Sequence, residues 1–307
     1  MGTPGTLSTS IATVAALAAL SGCAAPTPPE PRNPVALTYF GYAAIACDLD
    51  DPFDEEDRTD YSAEVAGFTN ANQVCVTADM TVLADRLRAA AAQYTPIFAV
   101  EPVFFSWAEG HGRLHPAAEE LWGQVIGAVT ASGVDPEELI FYLADEPELR
   151  GLPTRDLRRA ADMIGEVYPA ARIMVIEAYR GPAAPTIPTE IDLWGFNAYA
   201  IPDPGAEPLY TDHLDRAASR LAPHQSLVLI MDANYTPYHR EAGLEPADMA
   251  QVAQNYLALA RSRSDVAMLL GYTWAGGIDS TDERGVRDLP GIVRRAHETI
   301  GRSIVEG

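Results

Sequence analysis

The residues best suited to acid–base chemistry are two adjacent carboxylates followed by a proline. They stand in Phe141-Tyr142-Leu143-Ala144-Asp145-Glu146-Pro147-Glu148, where an apolar run ends. Like charges side by side raise each other's pKa. A carboxyl raised in this way stays protonated and can serve as a general acid. Pro147 restricts the backbone of the residue before it and so orients Glu146. Glu148 reads as part of a solvated acidic turn. Other acids close other apolar runs: Glu101 before Pro102, Glu177 in Val175-Ile176-Glu177-Ala178-Tyr179, and Asp232 in Leu229-Ile230-Met231-Asp232-Ala233-Asn234-Tyr235. Asp232 and Glu177 are rival partners for Glu146 in a two-carboxylate mechanism. Asn197 and Tyr199 in Asp192-Leu193-Trp194-Gly195-Phe196-Asn197-Ala198-Tyr199 point the same way if that run is a strand. Trp274, in Gly271-Tyr272-Thr273-Trp274-Ala275-Gly276-Gly277, offers an aromatic face, and Tyr42, Tyr39 and Trp107 are further candidates for a pocket wall.

Side chains so far apart in sequence need a scaffold that gathers strand ends. From Val35 onward, short runs rich in Val, Ile, Phe and Tyr alternate with alanine-rich amphipathic segments. The expected strands are 37–42, 73–76, 97–104, 139–143, 172–176, 193–196, 227–231 and 267–272. Helices are expected over 81–93, 117–131, 154–167, 210–221, 246–261 and 289–300, with a weak one over 61–68 after an acidic loop. Asp135-Pro136-Glu137-Glu138 and Leu152-Pro153-Thr154 are fitting helix-start signals. Eight alternations over ~250 residues predict an α/β protein with a single (β/α)8 barrel domain, residues 35–307, whose site lies where the strands end. A doubly wound open sheet is the rival, and its nucleotide-binding form is weakened by the lack of Gly-x-Gly-x-x-Gly after the first strand.

With those residues in place, the chain resembles the clan A glycoside hydrolases, barrels whose fourth strand ends in Asn-Glu-Pro. Glu146 and Pro147 match that motif, and Asp145 stands where the family has asparagine. The resemblance implies that Glu146 is the acid/base and that Asp145 meets the sugar 2-hydroxyl as an acceptor only. It implies an attacking carboxylate at the end of the seventh strand, where this chain has Asp232, one methylene shorter than the family's glutamate. The Asp-x-x-Gly-x-Asn-x-Tyr run ending in Asn197 and Tyr199 looks like the sixth strand of several sugar hydrolases, and Trp274 falls where such barrels carry a sugar platform. Glu101 and Tyr42 complete the expected sugar-binding set. A carboxylate separation of ~5–5.5 Å would mean retention, and ~6.5–9.5 Å inversion. The implied partner is a carbohydrate, bound by a monomer with no cofactor and no metal. A non-catalytic carbohydrate-binding protein on the same barrel is the alternative; it needs aromatics and hydrogen-bonding groups but no second carboxylate. A purely structural surface protein would need neither.

Composition removes other classes. Acidic residues outnumber basic ones 43 to 21, a formal charge of −22, so the basic footprint of a nucleic-acid binder is missing. All the bases are arginine; lysine Schiff-base chemistry and a lysine-bearing P-loop are therefore excluded. The six histidines include no His-x-His on the first strand, and His111 and His115 read as loop or pocket-rim residues. No Gly-x-Ser-x-Gly elbow is present.

The N-terminal segment reads as an address. The apolar run Ile11–Leu20 is too short for a mature spanning helix and fits the core of a secretory signal. Leu20-Ser21-Gly22-Cys23 resembles a bacterial lipobox, which implies lipidation at Cys23, a signal over residues 1–22 and an exported protein anchored to a membrane. Plain secretion is the second reading. The proline-rich stretch within residues 23–34 is an expected extended linker. In an oxidising compartment Cys47 and Cys75 are a disulfide candidate, worth roughly 3 kcal/mol on the chain-entropy account.

Overall fold

The computed structural model describes residues 35–108, 110–179 and 185–307. Cys23, the signal-like run and the proline-rich linker lie outside the described residues. Eight parallel strands follow in chain order: β1 (Tyr39–Tyr42), β2 (Ala71–Cys75), β3 (Thr95–Ala99), β4 (Ile140–Asp145), β5 (Arg172–Ala178), β6 (Leu193–Asn197), β7 (Ser226–Asp232) and β8 (Val266–Tyr272). They pair in the order β1-β8-β7-β6-β5-β4-β3-β2, so every strand but β1 and β2 has two ladder neighbours. Helices α1 (Ser62–Val65), α2 (Met80–Ala91), α3 (Ala118–Ser132), α4 (Thr154–Val167), α5 (Pro208–Ala218), α6 (Met249–Ser262) and α7 (Gly291–Val305) cover the outside. The fold is the expected (β/α)8 barrel. None of the helices among the described residues is long and apolar enough to cross a membrane.

Strand alternation sorts the apolar side chains into two cores. Ile97, Ile140, Met174, Leu193, Val228 and Met268 fill the barrel interior. Phe98, Phe141, Val175, Trp194, Leu229 and Leu269, one residue away on the same strands, pack outward against the helices. Both sets are buried, as the layered filling of such barrels requires.

The barrel closes at β1 and β2 by an unusual route. Side-chain amides of β2 and the residue before it accept the backbone N–H groups of β1 and its extension. Phe40 N–H donates to Asn70 Oδ1 at 2.9 Å, Tyr42 N–H to Asn72 Oδ1 at 3.0 Å, and Ala44 N–H to Gln73 Oε1 at 3.0 Å. Gly41 lies so close to the second strand that a Cβ there would meet the Ala71 carbonyl oxygen at 1.3 Å. Above these contacts backbone pairing resumes: Cys75 N–H donates to Ala46 O at 3.0 Å. The Cys47–Cys75 disulfide then crosses the same seam, with its Cα atoms 4.6 Å apart.

Several elements differ from the sequence reading. The third strand ends at Ala99 rather than Phe104, and Glu101–Phe104 forms one helical turn with the proline in its first positions. Pro102 has no N–H to give a ladder, which ends the strand there. Residues 105–108 and 111–114 then pair as an antiparallel hairpin that the strand–helix pattern did not anticipate. The last helix begins at Gly291, after Pro290, and runs to Val305.

Asn72 is fully buried and serves two groups, accepting from Tyr42 N–H and donating to Thr69 Oγ1 at 2.8 Å. A buried donor left without a partner costs ~1–3 kcal/mol. Asn72→Ala should therefore lose about 2 kcal/mol in a denaturant titration. Asn70→Ala, at a partly solvated bond, should lose less. Equal losses would mean that the seam does not depend on the buried amide.

Candidate active site

A cavity of about 280 Å³ opens where the strands end. Tyr142, Ile176, Ile230 and Leu270 form its floor, and Asp145, Glu146, Asn197, Tyr199, Tyr272 and Asp279 supply its polar groups. Cys47, Cys75 and Gln73, the upper part of the seam, make one wall.

The β4 end builds the acidic part of the cavity. The register against β5 shifts between Tyr142 and Ala144. That irregularity lets Tyr142 and Asp145, three residues apart, both face inward, the re-aiming that bulges give next to active sites. Tyr142 O–H donates to Asp145 Oδ1 at 2.6 Å. Asp145 N–H donates to Glu101 Oε2 at 2.7 Å, and Arg150 Nη1 donates to Glu101 Oε1 at 2.8 Å and to the Asp145 carbonyl at 3.2 Å. The Arg150 guanidinium lies 3.5 Å over the Trp107 ring. Glu146 has a left-handed backbone, φ 48°. Such a conformation costs of order 1–3 kcal/mol for a residue with a side chain and persists where the surroundings fix it. Here Glu146 N–H donates to Ile176 O at 2.7 Å, Pro147 follows, and Asn197 Nδ2 donates to Glu146 Oε1 at 3.1 Å.

Burial pushes the Asp145 carboxyl up to about 6, with the charges of Glu146 and Glu101 adding to it while the Tyr142 hydroxyl and Arg150 oppose it. Tyr199 O–H donates to Asn197 Oδ1 at 3.1 Å, so one chain of donors runs from Tyr199 through Asn197 to Glu146. Burial, then the nearby carboxylates, hold the Tyr199 hydroxyl well above its ordinary value, so it remains a donor.

Not every expected residue reaches the cavity. Asp232 is fully buried and does not line it. His239 Nε2 sits 3.0 Å from both its oxygens, and Ala200 N–H donates to Oδ2 at 2.7 Å. Glu177 points away from the barrel interior, since its neighbour Ile176 faces inward; its carboxylate accepts Glu148 N–H at 3.2 Å. Trp274 is packed against Tyr42 and Phe68, with Nε1–H donating to Glu64 Oε2 at 2.7 Å. Tyr42 is also buried in that outer core, its hydroxyl 2.9 Å from His297 Nδ1. Glu101 holds the β4 end from outside the cavity, and Trp107 lies under Arg150 on the unforeseen hairpin. Tyr39 pairs with Arg172 at the far end of the barrel, near the starts of β1 and β5.

Tyr272 and Asp279 are among the lining residues that the sequence reading did not single out. Tyr272 closes β8 and faces inward in step with Leu270, so strand alternation selects it in place of Trp274. Asp279 lies in the loop beyond Gly276-Gly277, where no periodicity applies. Burial first, then the nearby Glu283 and Asp279 carboxylates, hold the Tyr272 hydroxyl well above its ordinary value. Among the described residues no group of three or more His, Cys, Asp and Glu side chains is arranged to hold a metal ion.

No family model matches the sequence, and no curated protein does. The fold has clear counterparts among solved structures. A GH113 β-1,4-mannanase superposes with a TM-score of 0.52 at 11% identity, over 88% of this chain and 100% of that one. The α-amylase of Geobacillus thermoleovorans gives 0.53 at 10% identity, over 88% of this chain and 79% of that one. The β-D-glucuronidase of Dictyoglomus thermophilum gives 0.54 at 12% identity, over 88% of this chain but 51% of that longer one. The shared feature is the barrel fold of glycoside hydrolases.

The raised Asp145 carboxyl fixes a sign for stability against pH. Below its ordinary value of 3.8 the folded and unfolded chains both hold the proton. Between 3.8 and about 6 only the folded chain holds it, so this group's contribution to stability falls as pH rises through that window and levels above it. Carbon-detected NMR should place the Asp145 titration near pH 6, and Asp145→Asn should gain stability over the parent at pH 8 but not at pH 3.5. A midpoint near 4 would contradict the burial argument.

Proposed function

We propose that the protein binds carbohydrate in this cavity and cleaves a glycosidic bond there, with Glu146 as general acid. One observation carries the reading: a strained, proline-locked glutamate at the end of β4 presents its carboxyl to a polar cavity, tied to the β6 asparagine. Fixing a carboxyl at such a cost suits a group that must meet a leaving oxygen in one geometry. Asp145, Asn197 and Tyr199 are the proposed sugar contacts, and Tyr272 takes the aromatic role first assigned to Trp274. Glu101 positions Asp145 through its backbone, and Asp232 positions the Tyr199–Ala200 turn. The lipobox-like Leu20-Ser21-Gly22-Cys23 supports an exported barrel tethered through Cys23, with the proline-rich stretch as spacer.

A second reading, binding without turnover, is favoured by one specific finding: the strand-seven carboxylate expected to attack is sealed off from the cavity. Kinetics separate the two. General acid catalysis contributes ~10²–10⁴-fold. Glu146→Gln should lose that factor in kcat/KM on alkyl glycosides, which need a protonated leaving group, and lose far less on dinitrophenyl glycosides, which do not. Equal losses on both would remove Glu146 from the acid role. Oligosaccharide binding by calorimetry with no cleavage of any glycoside would favour the binding protein.

A further inference from the structure

Resting on the glycosidase reading, we propose that Asp279, in the loop after β8, is the carboxylate that works opposite Glu146, as a general base in an inverting hydrolysis. β4 and β8 lie four places apart in the eight-strand ring, so the two carboxylates enter the cavity from opposite sides. Asp232 and Glu177 do not line the cavity, and Asp145 stands beside Glu146 on the same strand end.

The loop is built to hold Asp279 in place. Glu283 is fully buried, and its Oε2 accepts the N–H groups of Ile278 and Asp279, both at 2.9 Å. Its Oε1 accepts from Asn234 Nδ2 at 2.6 Å, which ties the loop to the end of β7. Gly277 N–H donates to the Glu283 carbonyl at 3.1 Å, and Gly276 N–H to the buried Asp51 carboxylate at 3.1 Å. A buried carboxylate spent on two backbone amides of an exposed loop fixes what that loop carries. Asp279 is exposed and lines the cavity together with Tyr272.

A base that activates water on the face opposite the acid gives inversion. Between the two carboxylates lie Asn197, Tyr199 and Tyr272, with the tyrosine ring centroids 5.5 Å apart. In the inverting class the two carboxylates stand ~6.5–9.5 Å apart, with the attacking water between the base and the sugar. In the step, a water O–H proton passes to Asp279 and the water oxygen bonds to the anomeric carbon. The carbon–oxygen bond to the leaving group breaks, and the Glu146 proton goes to the departing oxygen. No co-reactant beyond water is consumed.

The test begins with the intact protein and a panel of 4-nitrophenyl and 2,4-dinitrophenyl glycosides, including β-mannosides, β-glucosides and β-glucuronides. On a cleaved substrate, proton NMR of the first-formed sugar should show inverted configuration. Asp279→Asn should lose about 10²–10⁴-fold in kcat with a small change in KM. Asp279→Ala should recover turnover in azide, giving a glycosyl azide of inverted configuration, because azide attacks without a base. Circular dichroism should show both variants folded, since the side chain is exposed. Retained configuration, or full turnover by Asp279→Asn, would overturn the assignment to Asp279 and leave the glycosidase reading standing. Loss of turnover in a folded Asp232→Asn variant together with retention would return the second role to strand seven. Failure of the parent protein to cleave any glycoside would remove both the glycosidase reading and the role of Asp279.

Discussion

Mutual repulsion among carboxylates is the constraint around which this end of the barrel is arranged. Glu101, Asp145, Glu146, Asp232, Asp279 and Glu283 all gather near the strand ends. Like charges this close cannot all stay ionised in a poorly solvated site unless donors face them. Arg150 answers Glu101, but most of the donors are neutral: the Tyr142 hydroxyl, the Asn197 amide, the Ala200, Ile278 and Asp279 N–H groups and the Asn234 amide. Neutral donors hold an anion without cancelling its field. The cavity therefore keeps a negative potential, which on the proposed reading suits positive charge developing on a sugar ring.

The neutral donors work only if the backbone is fixed, and the seam supplies much of that rigidity. Between β1 and β2 the Asn70, Asn72 and Gln73 amides take the place of a backbone ladder, and the disulfide crosses just above them. The upper members of that seam are also cavity wall. Closing the barrel and shaping the pocket are thus done by the same residues. Beside the disulfide, the short β1 strand and its extension are held to β2 by these amides and by backbone bonds such as Asn70 N–H to Phe40 O and Cys75 N–H to Ala46 O, both 3.0 Å.

Much of this was legible in the chain itself, for a physical reason. Period-two alternation reports which side of a strand faces the barrel, and Asn197 and Tyr199 accordingly share a face. The Asp-Glu-Pro motif is local, so Glu146 could be singled out without knowing its neighbours. What failed depended on the third dimension. Asp232 and Trp274 sit at or just beyond strand ends, but whether such a residue faces the cavity depends on the loop that covers it. Glu101 was seen as an acid near a strand end; that it braces Asp145 through a backbone amide is a tertiary fact. Asp279 lies in a loop whose conformation is set by a buried glutamate four residues on, and no spacing rule reports that.

The sealing of Asp232 follows from atoms that can be traced one by one. Thr236 N–H donates to His239 Nδ1 at 3.0 Å, which makes that nitrogen an acceptor and leaves the ring proton on Nε2. Nε2–H is then a donor aimed at the Asp232 carboxylate, 3.0 Å from each oxygen. Ala200, in a left-handed backbone with φ 57°, turns its N–H onto Oδ2 from the other side. The aspartate thereby becomes the post that holds the Tyr199–Ala200 turn, and through Tyr199 and Asn197 it keeps the donor chain aimed at Glu146. Held from both sides in this way, the strand-seven aspartate is a positioning group, and on the proposed reading the carboxylate opposite Glu146 comes from the loop after β8, at Asp279.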